Sequence, residues 1–119
     1  VYFADLNWNE LMKAIKNNSV SYKEISKFPA VKRDLALLID KNIQFAEIEK
    51  IAYETEKKLL KSVELFDVYE GKNLEAGKKS YAVSFMLQDE NATLNDKQID
   101  KFMQKLIKNL ETKLDAKLR

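Results

Sequence analysis

Asp34, Asp67 and Glu70 are the carboxylates that stand beside strand-like runs, and a converging pair of carboxylates could in principle do acid/base work. Nothing in the sequence supplies them with a partner. The chain has no histidine and no cysteine, which removes the commonest general base and metal ligand, thiolate zinc sites, cysteine nucleophiles and disulfides. It also has no glycine-rich phosphate loop. Asp34 follows Arg33 at a strand entrance and Asp67 lies within a β-rich run, so surface or structural roles are expected of both. Catalytic, cofactor-binding and metal-binding residues are therefore expected to be none.

The remaining chemistry belongs to cations. Lys plus Arg number 21 against 19 Asp plus Glu, a net charge of +2, so any nucleic-acid footprint must be local. Lys32, Arg33, Lys78, Lys79 and Arg119 cluster at the ends of strand-like segments, where they could rim a sheet face and pair phosphates. Lys97, Lys101, Lys105 and Lys108 recur at helical spacing and form a second stripe, read as solvated because Asp100 and Glu111 interrupt it.

Those cations need elements to hold them. Pro29, the only proline, disfavours helix at Phe28 and precedes the apolar run Val31 to Ile39, read as a central strand. A buried helical segment is the alternative. The turn cluster Asp40-Lys41-Asn42 closes it, and Phe45, Ile48, Ala52, Thr55 and Leu59 then predict an amphipathic helix. Ser62 to Tyr69 reads as a strand, the turn holds both glycines, Gly71 and Gly77, and Lys79 to Gln88 alternates cleanly as the hairpin partner. Asn95 with Gln98 forms a capping box for a helix whose apolar face is Ile99, Phe102, Met103, Leu106, Leu110 and Leu114. Ala116 to Arg119 is expected to be a short edge strand.

This order predicts an α+β, ferredoxin-like βαββαβ domain: a four-stranded antiparallel sheet with two helices on one face and the other face open. By alternation Tyr81, Val83, Phe85 and Leu87 lie under the helices, while Ser80, Ala82, Ser84 and Met86 face outward. Residues 1–20, a strand from Val1 and a short helix capped by Asn7 with Glu10 reaching back, are expected to be the tail of a preceding module. The ferredoxin-like domain is expected over residues 21–119. At 45% hydrophobic and 34% charged residues, the composition is that of ordinary globular material. No stretch approaches the ~20 apolar residues that span a bilayer, and there is no leader pattern, so a cytoplasmic location away from membranes is expected.

An open sheet face invites comparison with RNA-stacking platforms. Lys79-Ser80-Tyr81-Ala82 begins like the aromatic motif of the RNA-recognition fold, then departs from it at Val83. A small, smooth face would instead admit a nucleic-acid backbone, with Lys32, Arg33, Lys78, Lys79, Ser80, Ala82, Ser84 and Arg119 as expected contacts, made mainly through phosphates and sugars. Three blocks then carry a resemblance: Ser26-Lys27-Phe28-Pro29-Ala30-Val31-Lys32-Arg33-Asp34-Leu35, Leu65-Phe66-Asp67-Val68-Tyr69-Glu70-Gly71, and Gly77-Lys78-Lys79-Ser80 leading to Thr93-Leu94. With the closing Leu118-Arg119, the stretch from Tyr22 resembles the ferredoxin-fold anticodon-binding domain that ends the β chain of bacterial phenylalanyl-tRNA synthetases.

The resemblance implies a non-catalytic domain gripping the anticodon stem and loop of phenylalanine tRNA. It implies ATP- and magnesium-dependent aminoacylation on a separate α chain of an α2β2 enzyme, with no cofactor in this stretch. The family pattern differs at Tyr81 and Met86. Alternatives are the equivalent domain of a single-chain organellar synthetase, an amino-acid-binding regulatory module using the Asp40-Lys41-Asn42-Ile43 loop, or a purely structural docking domain.

Overall fold

The computed structural model describes residues 1–119. Strand β1 (Val31–Asp40) is followed by α2 (Phe45–Thr55), the hairpin β2 (Leu60–Tyr69) and β3 (Lys78–Leu87), α3 (Asp96–Leu114) and the two-residue β4 (Lys117–Leu118). The strands pair antiparallel in the order β2-β3-β1-β4. This is the expected ferredoxin-like arrangement, with β1 and β3, the most apolar runs, at its centre.

One face of the sheet and the inner sides of α2 and α3 enclose a single core. Leu37, Ile39, Val83, Phe85 and Leu87 rise from the sheet to meet Ile48, Ile51 and Ala52 of α2 and Ile99, Phe102, Leu106 and Leu110 of α3. Phe85 and Val83 are wholly buried. The core is drawn entirely from residues 37 to 116. Asn95 caps α3 as its sequence predicts: its side chain accepts from Gln98 N at 2.9 Å, and Gln98 Oε1 accepts from Asn95 N at 3.1 Å.

Two elements end differently from the periodicity. Helix α2 stops at Thr55, short of Leu59, because Glu56 turns into extended backbone and its carboxylate accepts from the N–H groups of Lys58 and Leu59. Strand β2 carries two bulges, each with one unpaired residue: Lys61 between Leu60 and Ser62, and Phe66 between Leu65 and Asp67. Uniform alternation does not anticipate either.

The first residues depart further. No strand forms over Val1 to Asn7; the segment is an extended coil leading into α1 (Trp8–Ala14), in which no residue is buried. A strand needs a partner for its backbone groups, and none of the sheet edges reaches this segment. Asn7 caps α1 through Glu10 N at 3.2 Å as expected, but Glu10 turns to Lys13, 2.8 Å away, rather than back to the cap. Further along, the stretch from Lys23 to Phe28 is pinned to the body. Gln88 Nε2 donates to the Phe28 carbonyl at 2.7 Å, and the Glu90 carboxylate takes Lys23 at 2.8 Å and Lys61 at 3.3 Å.

Candidate nucleic-acid interface

Cross-strand partners share a face, so the register decides which side each candidate residue occupies. On the side away from the helices β1 presents Lys32, Asp34, Ala36, Leu38 and Asp40, and β3 presents Lys78, Ser80, Ala82, Ser84 and Met86. Strand β2 adds Ser62, Glu64, Asp67 and Tyr69, paired with Met86, Ser84, Ala82 and Ser80. Strand β4 adds Lys117, opposite Leu38, and Arg119 follows it with its N–H donating to the Ala36 carbonyl at 2.9 Å.

Six of the eight expected contact residues, Lys32, Lys78, Ser80, Ala82, Ser84 and Arg119, thus lie on one face. The other two do not. Arg33 pairs with Phe85 and Lys79 with Ile39, both on the helix side. Lys79 is only 7% exposed, with Nζ 4.5 Å from the Tyr81 ring centroid. Proximity in sequence to Lys32 and Lys78 placed them on the rim, but the period of two turns them inward.

The outward face is also less smooth than the alternation implies. Ser80 and Ser84 are 5% and 4% exposed. Neither lies under a helix; taller neighbours on their own face close over them. Ser84 Oγ donates to Asp34 Oδ1 at 2.6 Å, with Glu64 on its other side. Ser80 sits between Leu38 and Tyr69. Both serines are therefore floor, and of the small residues Ala82 and Ala36 remain half-open.

Aromatic rings, which the third strand does not offer, come from the second. The bulge leaves Phe66 outside the ladder and 58% exposed, and the Lys32 ammonium approaches its ring to 5.6 Å, so the ring stands over the open face. Tyr69 lies farther along the same strand, and the Arg119 guanidinium is 5.3 Å from its ring centroid. Since β2 and β4 are the two edges, Arg119 and Tyr69 reach toward each other across β1 and β3. A run of Phe-Asp-Val-Tyr in which the first ring is one residue out of phase is the signal that could have revealed this platform.

The charge on the face is mixed. Lys32, Lys78, Lys117 and Arg119 share it with Asp34, Asp40, Glu64 and Asp67, of which Asp34 is engaged by Ser84 and Asp40 by its own turn at Asn42 N, 3.0 Å. Lys32, Lys117 and Arg119 make no ion pair with another side chain; Lys78 lies 3.8 Å from Asp115. Free cations beside exposed rings and a free carboxylate at Asp67 can bind phosphate, stack a base and accept from a base amino group. No group of three or more His, Cys, Asp or Glu side chains is placed to hold a metal ion. The Asp40–Ile43 turn bonds its own amides to Asp40. No helix is long and apolar enough to cross a membrane.

Comparison with known proteins adds an independent line. The family described as the ferredoxin-fold anticodon binding domain matches residues 26–119. The whole chain is 82% identical to part of the phenylalanine–tRNA ligase β subunit of Bacteroides thetaiotaomicron and 83% identical to that of Bacteroides fragilis, covering 14% of each. It is 42% identical over 118 residues to the β subunit of Clostridium tetani, covering 15% of it. The chain thus spans about one seventh of the length of these relatives.

Proposed function

The chain belongs to the ferredoxin-fold anticodon binding domain family, and from that premise we propose that it is the tRNA-gripping part of a phenylalanine–tRNA ligase β chain. It holds the anticodon stem and loop of phenylalanine tRNA while aminoacylation, with its ATP and magnesium, takes place on a partner α chain of an α2β2 enzyme in the cytoplasm. The observation that carries this reading is the open sheet face itself, where Phe66 and Tyr69 stand exposed beside Lys32 and Arg119. Residues 1–20 belong to a preceding module, which accounts for apolar side chains such as Phe3, Leu6 and Trp8 that find no partner within this chain.

The mode of contact is more base-directed than a smooth phosphate-binding surface would give. Base–aromatic stacking contributes about 1–3 kcal/mol per base, and the carboxylate of Asp67 suits the amino edge of an unpaired base. Cations at Lys32, Lys117 and Arg119 supply the phosphate contacts, and the buried Ser80 and Ser84 set the depth of the floor.

Chemical-shift mapping of the 119-residue chain with the anticodon stem-loop of phenylalanine tRNA tests the proposal. Resonances of Lys32, Ala36, Phe66, Asp67, Tyr69 and Ala82 should respond while the outer faces of α2 and α3 stay still. A response confined to the helices, or none at low salt, would overturn it.

A further inference from the structure

Arg119 occupies the place that a stacked base would need. Its guanidinium lies 5.3 Å from the Tyr69 ring centroid, it makes no ion pair, and it is held in position by its own backbone N–H on the Ala36 carbonyl. Opposite it, the phenol of Tyr69 is laid down over the backbone of Gly71, where a Cβ would overlap the ring. Tyr69 is thus placed by the absence of a side chain two residues later, and Ser80 is closed off beneath.

We propose that Arg119 is a displaceable cover on the Tyr69 ring: when RNA binds, the guanidinium yields the ring to an unpaired base and takes up a phosphate of the same strand. This rests on the reading of the open face as an RNA-binding surface. The exchange is favourable by magnitude. An exposed cation over an aromatic ring contributes a factor of about 2 to 5, whereas a stacked base contributes about 5 to 150, and the released guanidinium gains a bidentate phosphate contact. A base already paired and stacked in a duplex has no free face to offer the ring. The cover therefore selects single-stranded RNA, and binding by Arg119 is coupled to stacking on Tyr69.

Salt dependence separates this exchange from an ordinary phosphate contact. Affinity of the 119-residue chain, whose core comes wholly from its own residues 37–116, is measured for the anticodon stem-loop from about 50 mM to about 500 mM salt. Arg119→Ala should make the plot of log K against log salt shallower by about 0.7. Its line should cross that of the wild type, so that the variant binds about twofold more weakly at low salt and about twofold more tightly at the upper end, where the uncovered ring dominates. Arg119→Lys, which keeps the charge, should keep the wild-type slope. Parallel lines for the wild type and Arg119→Ala, or weakening by Arg119→Ala at every salt, would overturn the cover while leaving the functional reading intact.

A readout without RNA completes the test. The Arg119 side-chain protons in the free chain should be shifted upfield by the ring and return to ordinary positions in Tyr69→Leu and in Gly71→Ala, the latter by pushing the phenol aside. No upfield shift in the wild type would overturn the cover whatever the RNA does. Failure of the wild type to bind RNA at the lowest salt would overturn the functional reading and the exchange together.

Discussion

Lys32 and Arg33 are neighbours in sequence and lie on opposite sides of the sheet, which makes them a sharp residue-scale test of the interface. Lys32→Ala should weaken stem-loop binding and lower the salt slope by about 0.7, because its ammonium is free beside Phe66. Arg33→Ala should leave both within about twofold, since it shares the helix side with Phe85; parallel salt titrations decide. Glu90 offers a different prediction. Its carboxylate is held below the usual range first by the hydrogen bond from Lys23, then by that from Lys61 and by the charges of both. A depressed folded-state pKa means that these two ion pairs stabilise the fold above the unfolded value and lose that contribution as pH falls through the folded one. Carboxyl-carbon NMR should therefore show Glu90 titrating below an ordinary glutamate, about 4.3, and moving toward that value in Lys23→Met.

At the scale of elements, the periodicities were informative wherever one face is buried uniformly. Strand β3 pairs with β1 from Lys78 to Leu87 without a break, and Tyr81, Val83, Phe85 and Leu87 reach the core in turn as their spacing predicts. Asn95 and Gln98 announced the start of α3, and Asn95→Ala should cost about 1 kcal/mol in a denaturant titration with an unchanged m-value. Phe85→Ala, which empties a wholly buried site, should cost about 3–5 kcal/mol. Strand β2 was less legible. A bulge is set by how a strand fits its partner, and Leu65-Phe66-Asp67 contains no glycine or proline to mark one. Burial of Ser80 and Ser84 was hidden for a related reason: it depends on the reach of Asp34 and Tyr69 from adjacent strands, not on the serines' own spacing. The end of α2 was missed because Glu56, a good helix former, uses its side chain on the following turn instead.

For the whole molecule, the topology was legible because each connection is short and each amphipathic element has one way to bury its stripe. The opening residues were not, since Val1 to Leu6 has strand-forming side chains and no edge to join. Stability should therefore reside downstream. Removing residues 1–20 should change the free energy of unfolding by no more than about 0.5 kcal/mol, because none of the core residues comes from that stretch; thermal denaturation of the shortened chain checks this. The binding face, by contrast, is distributed over β1, β2, β3 and the end of the chain, so no single segment could retain it.

Phe66 has a consequence for how such a surface can change. In the ladder Leu65 meets Val83 and Asp67 meets Ala82, so the two flanking residues already occupy consecutive rungs. Excising Phe66 would close this gap in the ladder, with Asp67, Val68 and Tyr69 keeping their orientations. The ring is a parenthesis in the strand: a lineage could acquire or shed it through one codon's insertion or loss, altering what the platform grips without rewriting the fold.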